Sequence, residues 1–376
     1  MRRLTIGRLP FAVVWDVSIV SQLVDSGAFV SENLELSGMT TLRVGGPARI
    51  VAECPTTQVL VDVVRLLDAA HIPTLILAGG SNLVVGDDGF DGVVVRVCNT
   101  TVGLEEGFVT AEAGAEWDQV VAQTVAAELG GLECLSGIPG STGATPVQNV
   151  GAYGVEVGSM LRRVHLLDRR TGEARWVEPD ALGLGYRTSV LKHSDAALVL
   201  AVELTVHPDG LGEPLRYREL VSALNAAEGD RLPSAQVRDA VLDLRRGKGM
   251  VLDPEDYDTW SAGSFFTNPV VADGELAGVL AAIETRLGDV LVPQFPADGG
   301  TKLSAGWLIE RAGFSKGYPG ENAVARLSTK HTLALTNRGA AKSEDLLALA
   351  RDVRDGVQAA FGVRLEPEPV TVGCAI

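Results

Sequence analysis

The chain has 376 residues, 46% hydrophobic and 21% charged, the balance of a soluble globular protein too long for one simple core; about two or three domains are expected. Its formal net charge of −16 argues against a phosphate-backbone partner, because nucleic-acid binding needs basic surface. A phosphorylated metabolite stays open, since a few local cations and backbone N–H groups are enough to hold one.

The N-terminal stretch "MRRLTIGRLPFAVVWDVSIVSQL" joins basic to apolar residues, but Pro10 and Asp16 interrupt it and no small-residue cleavage pattern follows. No apolar run approaches the roughly 18 residues of a membrane span. Residues 1–38 read as a short, partly helical extension, with regular structure beginning near "TTLRVGGPARIVAECP". In "TTQVLVDVVRLLDAAHI", Leu60, Val63, Val64 and Leu67 share one helical face. "PTLILAGG" reads as a short buried strand ending in glycine, and "VVVRV" as a further strand after "SNLVVGDDGFDG". Together they make a β-α-β unit whose glycine-rich turn lies at a strand's C-terminal end, where ligands often bind.

From Thr100 to about His207 short strands dominate: "GFVTAEAGA", "RRVHLLDRRTGEARWVEP" and "ALVLAVELTVHP". One helix, "WDQVVAQTVAAELGG", interrupts them, with Gly130 as its expected stop. Residues Pro208–Pro214 suggest a linker. In the last part, "PSAQVRDAVLDLRRG" reads as a helix capped by Ser234, with Val237, Val241 and Leu244 inward. "KSEDLLALARDVRDGVQAAFG" reads as another, with Ser343 as N-cap, Glu344 and Asp345 in the first turn, and Leu346, Ala350, Val353, Val357 and Phe361 as the buried stripe. Gly362 stops it, and "VRLEPEPVTVG" follows as a final strand.

Cys54, Cys98, Cys134 and Cys374 are scattered without C-x-x-C spacing, so no metal site is expected; buried thiols in a reducing cytosol fit better. Two glycine-rich loops stand out. In "AGGSN" (Gly79 to Asn82), glycines let the backbone turn sharply and aim N–H groups at an anion. "LSGIPGSTGATPVQNVGAYG" is crowded with small residues, as if something bulky approached the backbone. Neither is a common nucleotide fingerprint, and each alone is more simply an ordinary turn. Two such loops, each after a buried strand, suit a dinucleotide, and Gln148 and Asn149 add amides suited to a heterocycle edge. Arg187 in "GYRTSVLK" has the fork to bind a carboxylate, or is a surface arginine. Lys248 stands between two glycines with room for an anion. Tyr217 in "RYREL" has a hydroxyl for a phosphate, or is simply packed. Glu368 in "LEPEP" either faces water or is placed for a purpose. Ser264 in "SAGSFFTNP" has no histidine in its segment, so a nucleophile's base is not at hand.

Taken in order, "TTLRVGGPA", "GGSNLVV", "IPGSTGATPVQNVGAYG", "GYRTSVLK", "AGSFFTNP", "KLSAGWLIERAG" and "LEPEP" resemble the UDP-N-acetylenolpyruvoylglucosamine reductases, flavoenzymes of peptidoglycan precursor synthesis, over about Thr40 to Gly373. "RYREL" is similar to the subtype with a substrate-closing tyrosine loop. The resemblance implies an α+β chain: a two-subdomain FAD-binding fold like the vanillyl-alcohol-oxidase-like flavoproteins, plus a C-terminal α+β substrate domain. The expected division is an extension over 1–38, FAD-binding subdomains over 39–98 and 99–212, and a substrate domain over 213–376. The resemblance further implies Arg187, Ser264 and Glu368 as catalytic residues. It implies cofactor contacts at Arg43, Gly79, Gly80, Ser81, Asn82, Ile138, Pro139, Gly140, Gly143, Ala144, Gln148, Asn149, Gly151 and Ala152. Substrate contacts are implied at Tyr153, Tyr217, Lys248 and Asn268. FAD held without a covalent link, NADPH as hydride donor, a UDP-sugar substrate, no nucleic-acid or membrane partner, and a cytoplasmic monomer complete the expectation. Two features depart from the family's pattern: Pro369 directly follows Glu368, and residues 1–38 exceed the usual lead-in.

Chemistry supports these roles. Hydride addition to an enolpyruvyl double bond leaves charge spreading into the carboxylate, and an arginine there stabilises it. The carbon must then receive a proton, which a close, aligned hydroxyl can deliver without a histidine. Ser264 is therefore expected as a general acid, and Glu368, if protonated, as a hydrogen-bond donor. The competing readings are an FAD-dependent alcohol or sugar oxidase of the same fold and a flavin- or nucleotide-binding module without turnover.

Overall fold

The computed structural model describes residues 17–376, so the part of the N-terminal reading that falls on residues 1–16 lies outside them. The chain folds as two compact units. The first comprises residues up to Leu34, Ala48–Gly80 and Phe90–Val251; the second comprises Glu35–Pro47, Ser81–Gly89 and Leu252–Ile376.

In the first unit, regular structure starts earlier than the sequence suggests, with α1 (Val17–Asp25) and β1 (Phe29–Glu35). Ile19 and Leu23 are buried in one core with Leu60, Val64 and Leu67, which is why this segment is ordered and not a loose lead-in. Next come β2 (Pro47–Cys54), α2 (Thr57–Ala69), β3 (Thr74–Leu77) and β5 (Phe90–Val97); β4 (Leu83–Val85) belongs to the other unit. The sheet order is β1-β2-β5-β3, with β5 parallel to both β2 and β3, as a β-α-β crossover requires. The hydroxyl of Thr56 accepts from Val59 N at 3.3 Å and opens α2. β3 is only half covered, with Leu77 alone fully buried, because it lies at the sheet's edge.

A second, antiparallel sheet holds β6 (Val102–Glu105), β7 (Phe108–Glu112), β10 (Leu161–Asp168), β11 (Ala174–Val177) and β12 (Ala197–Thr205), in the order β11-β10-β12-β7-β6. Between its strands run α3 (Trp117–Ala126) and a two-strand turn, β8 (Gly151–Ala152) with β9 (Val155–Glu156). Helix α3 ends at Ala126 with Ala127 as its cap, and the chain turns away at Glu128, which takes the left-handed conformation (φ 58°), not at Gly130. Gly130 instead exchanges backbone bonds with His207, at 2.9 and 2.8 Å. Helices α4 (Arg218–Ala223) and α5 (Ser234–Gly247) complete the unit. Val237 and Val241 are buried as expected, but Ser234 is the first helical residue and not a cap; its N–H goes to Gly210 O.

The second unit contains β13 (Val270–Val271), α6 (Asp273–Leu287), β14 (Gln294–Ala297), β15 (Gly300–Leu303), α7 (Ala305–Ala312), β16 (Ala325–Leu327), β17 (Leu335–Asn337), α8 (Ser343–Phe361) and β18 (Val370–Val372). β18 pairs in parallel with β4, which draws residues 81–89 into this unit. The expected stripe of α8, Leu346 to Phe361, is buried, and Gly362 ends it at φ 73°. Its cap differs from expectation. Ser343 is the first helical residue and sends its hydroxyl to Val85 O, while the Asp87 carboxylate accepts from Ser343 N (2.8 Å) and Glu344 N (3.1 Å). The capping group comes from a distant segment, so no local sequence pattern announces it. No described helix is long and apolar enough to cross a membrane.

Replacing Asp87 by alanine removes the acceptor for two helix-end N–H groups. A loss of about 1–2 kcal/mol is expected, read as a lower urea midpoint with an unchanged slope.

Candidate active site

In the second unit, backbone pairing brings the residues directly after Ser264 against the segment that carries Glu368. Thr267 N donates to Glu366 O at 3.0 Å, Phe266 and Pro367 form an antiparallel bridge, and Glu368 N donates to Phe265 O at 2.9 Å. Phe265 and Phe266 are buried and meet edge to face at 5.3 Å, so they fix the turn from the core side while Ser264 stays half-buried. Gly263 precedes it at φ 70°. Past Glu368 the partner changes. Pro369 has no N–H, and Val370 N donates to Asn82 O at 3.0 Å, where β18 begins to run along β4. Pro369 thus marks the switch between two pairing partners and does not disturb Glu368. The amide of Asn82 reaches Glu368 O at 3.5 Å, within the same unit.

The two glycine-rich loops touch in the first unit. A Cβ on Gly79 would lie 2.7 Å from Gly140 Cα, so only glycine allows this approach. Loop 135–140 is held by Trp117, whose N–H goes to Gly140 O and whose indole goes to Leu135 O, each at 3.0 Å. Asp118 holds it too, accepting from Gly137 N at 2.6 Å and from both arms of Arg238 at 2.6 and 2.8 Å. Burial opposes the charged form of Asp118, but these donors outweigh it and keep the carboxyl below its usual range. The Ser141 hydroxyl is buried with no partner among the described residues. A side-chain-free backbone approach beside an unspent hydroxyl is what a dinucleotide's phosphates need. Gly79, Gly80, Gly140 and Ser141 fit that group.

Arg187 also lies in the first unit, in a turn closed by paired bonds between Gly185 and Thr188 at 3.0 and 3.2 Å. Its φ is 53°, a left-handed value that usually calls for glycine or asparagine. Its guanidinium donates to Gly151 O at 2.7 Å, and Lys192 Nζ donates to Arg187 O at 2.8 Å. Nine described non-glycine residues have left-handed φ, and four of them are expected site residues: Arg43, Asn149, Tyr153 and Arg187. Backbone strain of this kind is often found at functional sites.

Other expected residues find protein partners. The buried amide of Asn149 donates to Glu156 (2.9 Å) and Gly185 O (3.1 Å) and accepts from Gly158 N (2.9 Å). Both of its amide hydrogens are therefore used in fixing the Arg187 turn. Asn268 Oδ1 accepts from Ala305 N at 2.9 Å, at the start of α7. Lys248 pairs with Glu219, two residues beyond Tyr217. Tyr217 and Tyr153 meet edge to face at 5.3 Å. Burial pushes the Tyr153 hydroxyl up to about 12, so it remains a donor across the working pH range. Nothing in the sequence signals Asp118, Arg245 or Glu219. Arg245 bonds Gly137 O (3.2 Å) and Met250 O (2.9 Å), with its Nε buried and unpartnered among the described residues. Such links need the fold to be seen.

Comparison with known proteins matches residues 48–178 to an FAD binding domain and residues 253–372 to the UDP-N-acetylenolpyruvoylglucosamine reductase C-terminal domain. The chain is 69% identical over 348 residues to the UDP-N-acetylenolpyruvoylglucosamine reductase of Nocardia farcinica, covering 93% of this chain and 91% of that one. It is 60% identical to that of Saccharopolyspora erythraea, covering 93% and 98%. Among solved structures, UDP-N-acetylenolpyruvylglucosamine reductase from Thermus caldophilus superposes with a TM-score of 0.63 at 26% identity, covering 92% of this chain and 99% of that one.

Neither glycine-rich loop carries a histidine or cysteine. Cys134, just upstream, is sealed at 1% exposure, and burial and the Glu133 carboxylate push its thiol far above the ordinary value. Acid denaturation of the purified protein should therefore release yellow flavin through a filter; colour kept with the polypeptide would point to Cys134.

Proposed function

Because the chain belongs to the UDP-N-acetylenolpyruvoylglucosamine reductase family, we infer that it reduces the enolpyruvyl ether of UDP-N-acetylglucosamine to UDP-N-acetylmuramate, with FAD as cofactor and NADPH as reductant, in peptidoglycan precursor synthesis. The observation that carries the site reading is the backbone pairing that sets Glu368 beside the Ser264 turn. Bound FAD supplies the hydride that adds to C3 of the enolpyruvyl group, having taken it from NADPH.

The chain's own residues do the rest. Arg187 holds the substrate carboxylate, and its attraction grows as negative charge spreads there. Its backbone strain is consistent with a turn kept for placement. Ser264 gives its proton to C2. It is half-buried, unlike the sealed phenylalanines beside it, so a substrate carbon can reach it. Glu368, in its protonated form, donates a hydrogen bond that steadies the charge before the proton arrives. Lys248, Tyr217 and Tyr153 receive the sugar nucleotide. NADPH and the enolpyruvyl substrate use the same approach in turn, which makes the kinetics ping-pong.

Ser264→Ala should separate the half-reactions in stopped flow. NADPH should still bleach the flavin, while reoxidation by the enolpyruvyl substrate slows by about 10²–10⁴ from loss of the acid alone. A parallel fall in both would assign Ser264 to folding or cofactor retention.

Arg187→Lys keeps the charge and loses the planar fork. Turnover should fall steeply with flavin still bound, as seen in visible absorbance of the purified variant; near-normal turnover would return Arg187 to an ordinary surface role.

A further inference from the structure

Arg43, in the second unit, is half-buried, and no carboxylate lies within ion-pair distance of it among the described residues. Its guanidinium lies 3.8 Å from the centre of the Trp260 ring, close enough for a cation–π contact. The rest of its surroundings fix both partners. Arg43 stands at φ 53°, a conformation that costs about 1–2 kcal/mol in a residue with a Cβ, and the fold holds it there. Asn337, 2% exposed, donates its amide to Leu42 O (3.0 Å) and Arg43 O (3.1 Å). The N–H of Asn337 goes to Trp260 O at 3.1 Å, so one buried residue fastens the backbones of both members of the stack.

Trp260 is fixed at its other edges. Its indole N–H donates to Pro254 O at 3.3 Å, and its ring meets Tyr257 edge-on at 4.6 Å and 80°. The tyrosine is backed by Arg338, whose guanidinium lies 5.6 Å from the ring centre. Thr41 Oγ1 donates to Ser261 O at 2.7 Å, which joins the Arg43 segment to the chain leading into Ser264. An arginine without a carboxylate partner, held on a braced aromatic plate, is poorly placed to serve stability, since its charge is left without a counter-ion. It is well placed to meet an external oxygen acceptor, because the plate limits the directions its N–H groups can take and less rotamer freedom is lost on binding.

We propose that Trp260 is a positioning residue for cofactor binding: it seats the Arg43 guanidinium so that its N–H groups meet oxygen acceptors of FAD. The proposal rests on the reading that Arg43 contacts the cofactor. Asn337 secures the backbone on which the pair is built.

The test is FAD titration of the deflavinated full-length protein, followed by quenching of flavin fluorescence. Four variants are compared: Arg43→Met, Trp260→Leu, Trp260→Phe and the Arg43→Met/Trp260→Leu double variant. Losing hydrogen bonds from a charged donor should weaken FAD binding about 10-fold or more in Arg43→Met. Trp260→Leu, which keeps the charge and removes the plate, should weaken it about 3- to 30-fold. Trp260→Phe keeps an aromatic face and should restore binding to within about threefold of the parent. The double variant should bind FAD no worse than Arg43→Met, because the plate acts only through the arginine. If Trp260→Leu binds FAD normally while Arg43→Met does not, the positioning role is overturned and the cofactor reading stands. The same holds if the two losses add in full, which would give Trp260 its own contact. If Arg43→Met binds FAD normally, the cofactor reading of Arg43 itself falls, and the proposal with it.

Discussion

The second unit turns on a short stretch of backbone, the pairing of residues 265–267 with 366–368. Each of these bonds is worth only about 0.5–1.5 kcal/mol net. Their weight lies in geometry, since chemistry at a carbon needs donors held to within roughly 0.5 Å of the productive position. Side chains on long loops do not reach that tolerance unaided. Here Glu368 is locked through its own N–H to the residue after Ser264, and the two phenylalanines that bracket the bond are sealed in the core. Pro369 then ends this pairing at the position where a missing N–H does no harm, and the chain moves on to β4. A residue that looks in the sequence like a disturbance is the point at which one partner is exchanged for another.

In the first unit, residues proposed to hold the substrate lie in strained backbone. Arg187, Asn149 and Tyr153 all sit in the left-handed region. The surrounding bonds over-determine the turn: the Asn149 amide grips Gly185, the Arg187 guanidinium grips Gly151, and Lys192 grips the Arg187 carbonyl. Such a network rigidifies a segment that would otherwise relax. It also explains why Gly151 is small, because a Cβ there would stand 3.2 Å from an Arg187 nitrogen and 2.8 Å from Val155 O.

Much of this was legible in the residues alone. Helical faces such as Leu60 to Leu67 and Leu346 to Phe361 follow from period, and the strands follow from β-branched runs bounded by glycine. The motifs that carry Arg187, Ser264 and Glu368 were readable as a family pattern. What stayed hidden shares one physical cause, which is that it depends on groups outside the local stretch of chain. Ser343 has the composition of an N-cap, yet Asp87 does the capping. Gly130 has the composition of a helix stop, yet its backbone is claimed by His207 and the helix turns off at Glu128. Asn149 offers an amide that the turn at Gly185 already uses. α1 has too short an apolar period to be told from a loose tail until its partners Leu60, Val64 and Leu67 are in place.

The second unit is threaded from three pieces of chain, and its β18 edge is completed by β4 from much earlier in the sequence. During synthesis, β4 emerges long before the strand it must pair with. Until the last of these segments leaves the ribosome, Asp87 has no helix to cap and Leu83 to Val85 have no neighbour in their sheet. The unit cannot therefore be isolated by cutting at Leu252, since the fragment that follows would keep a bare edge at β18.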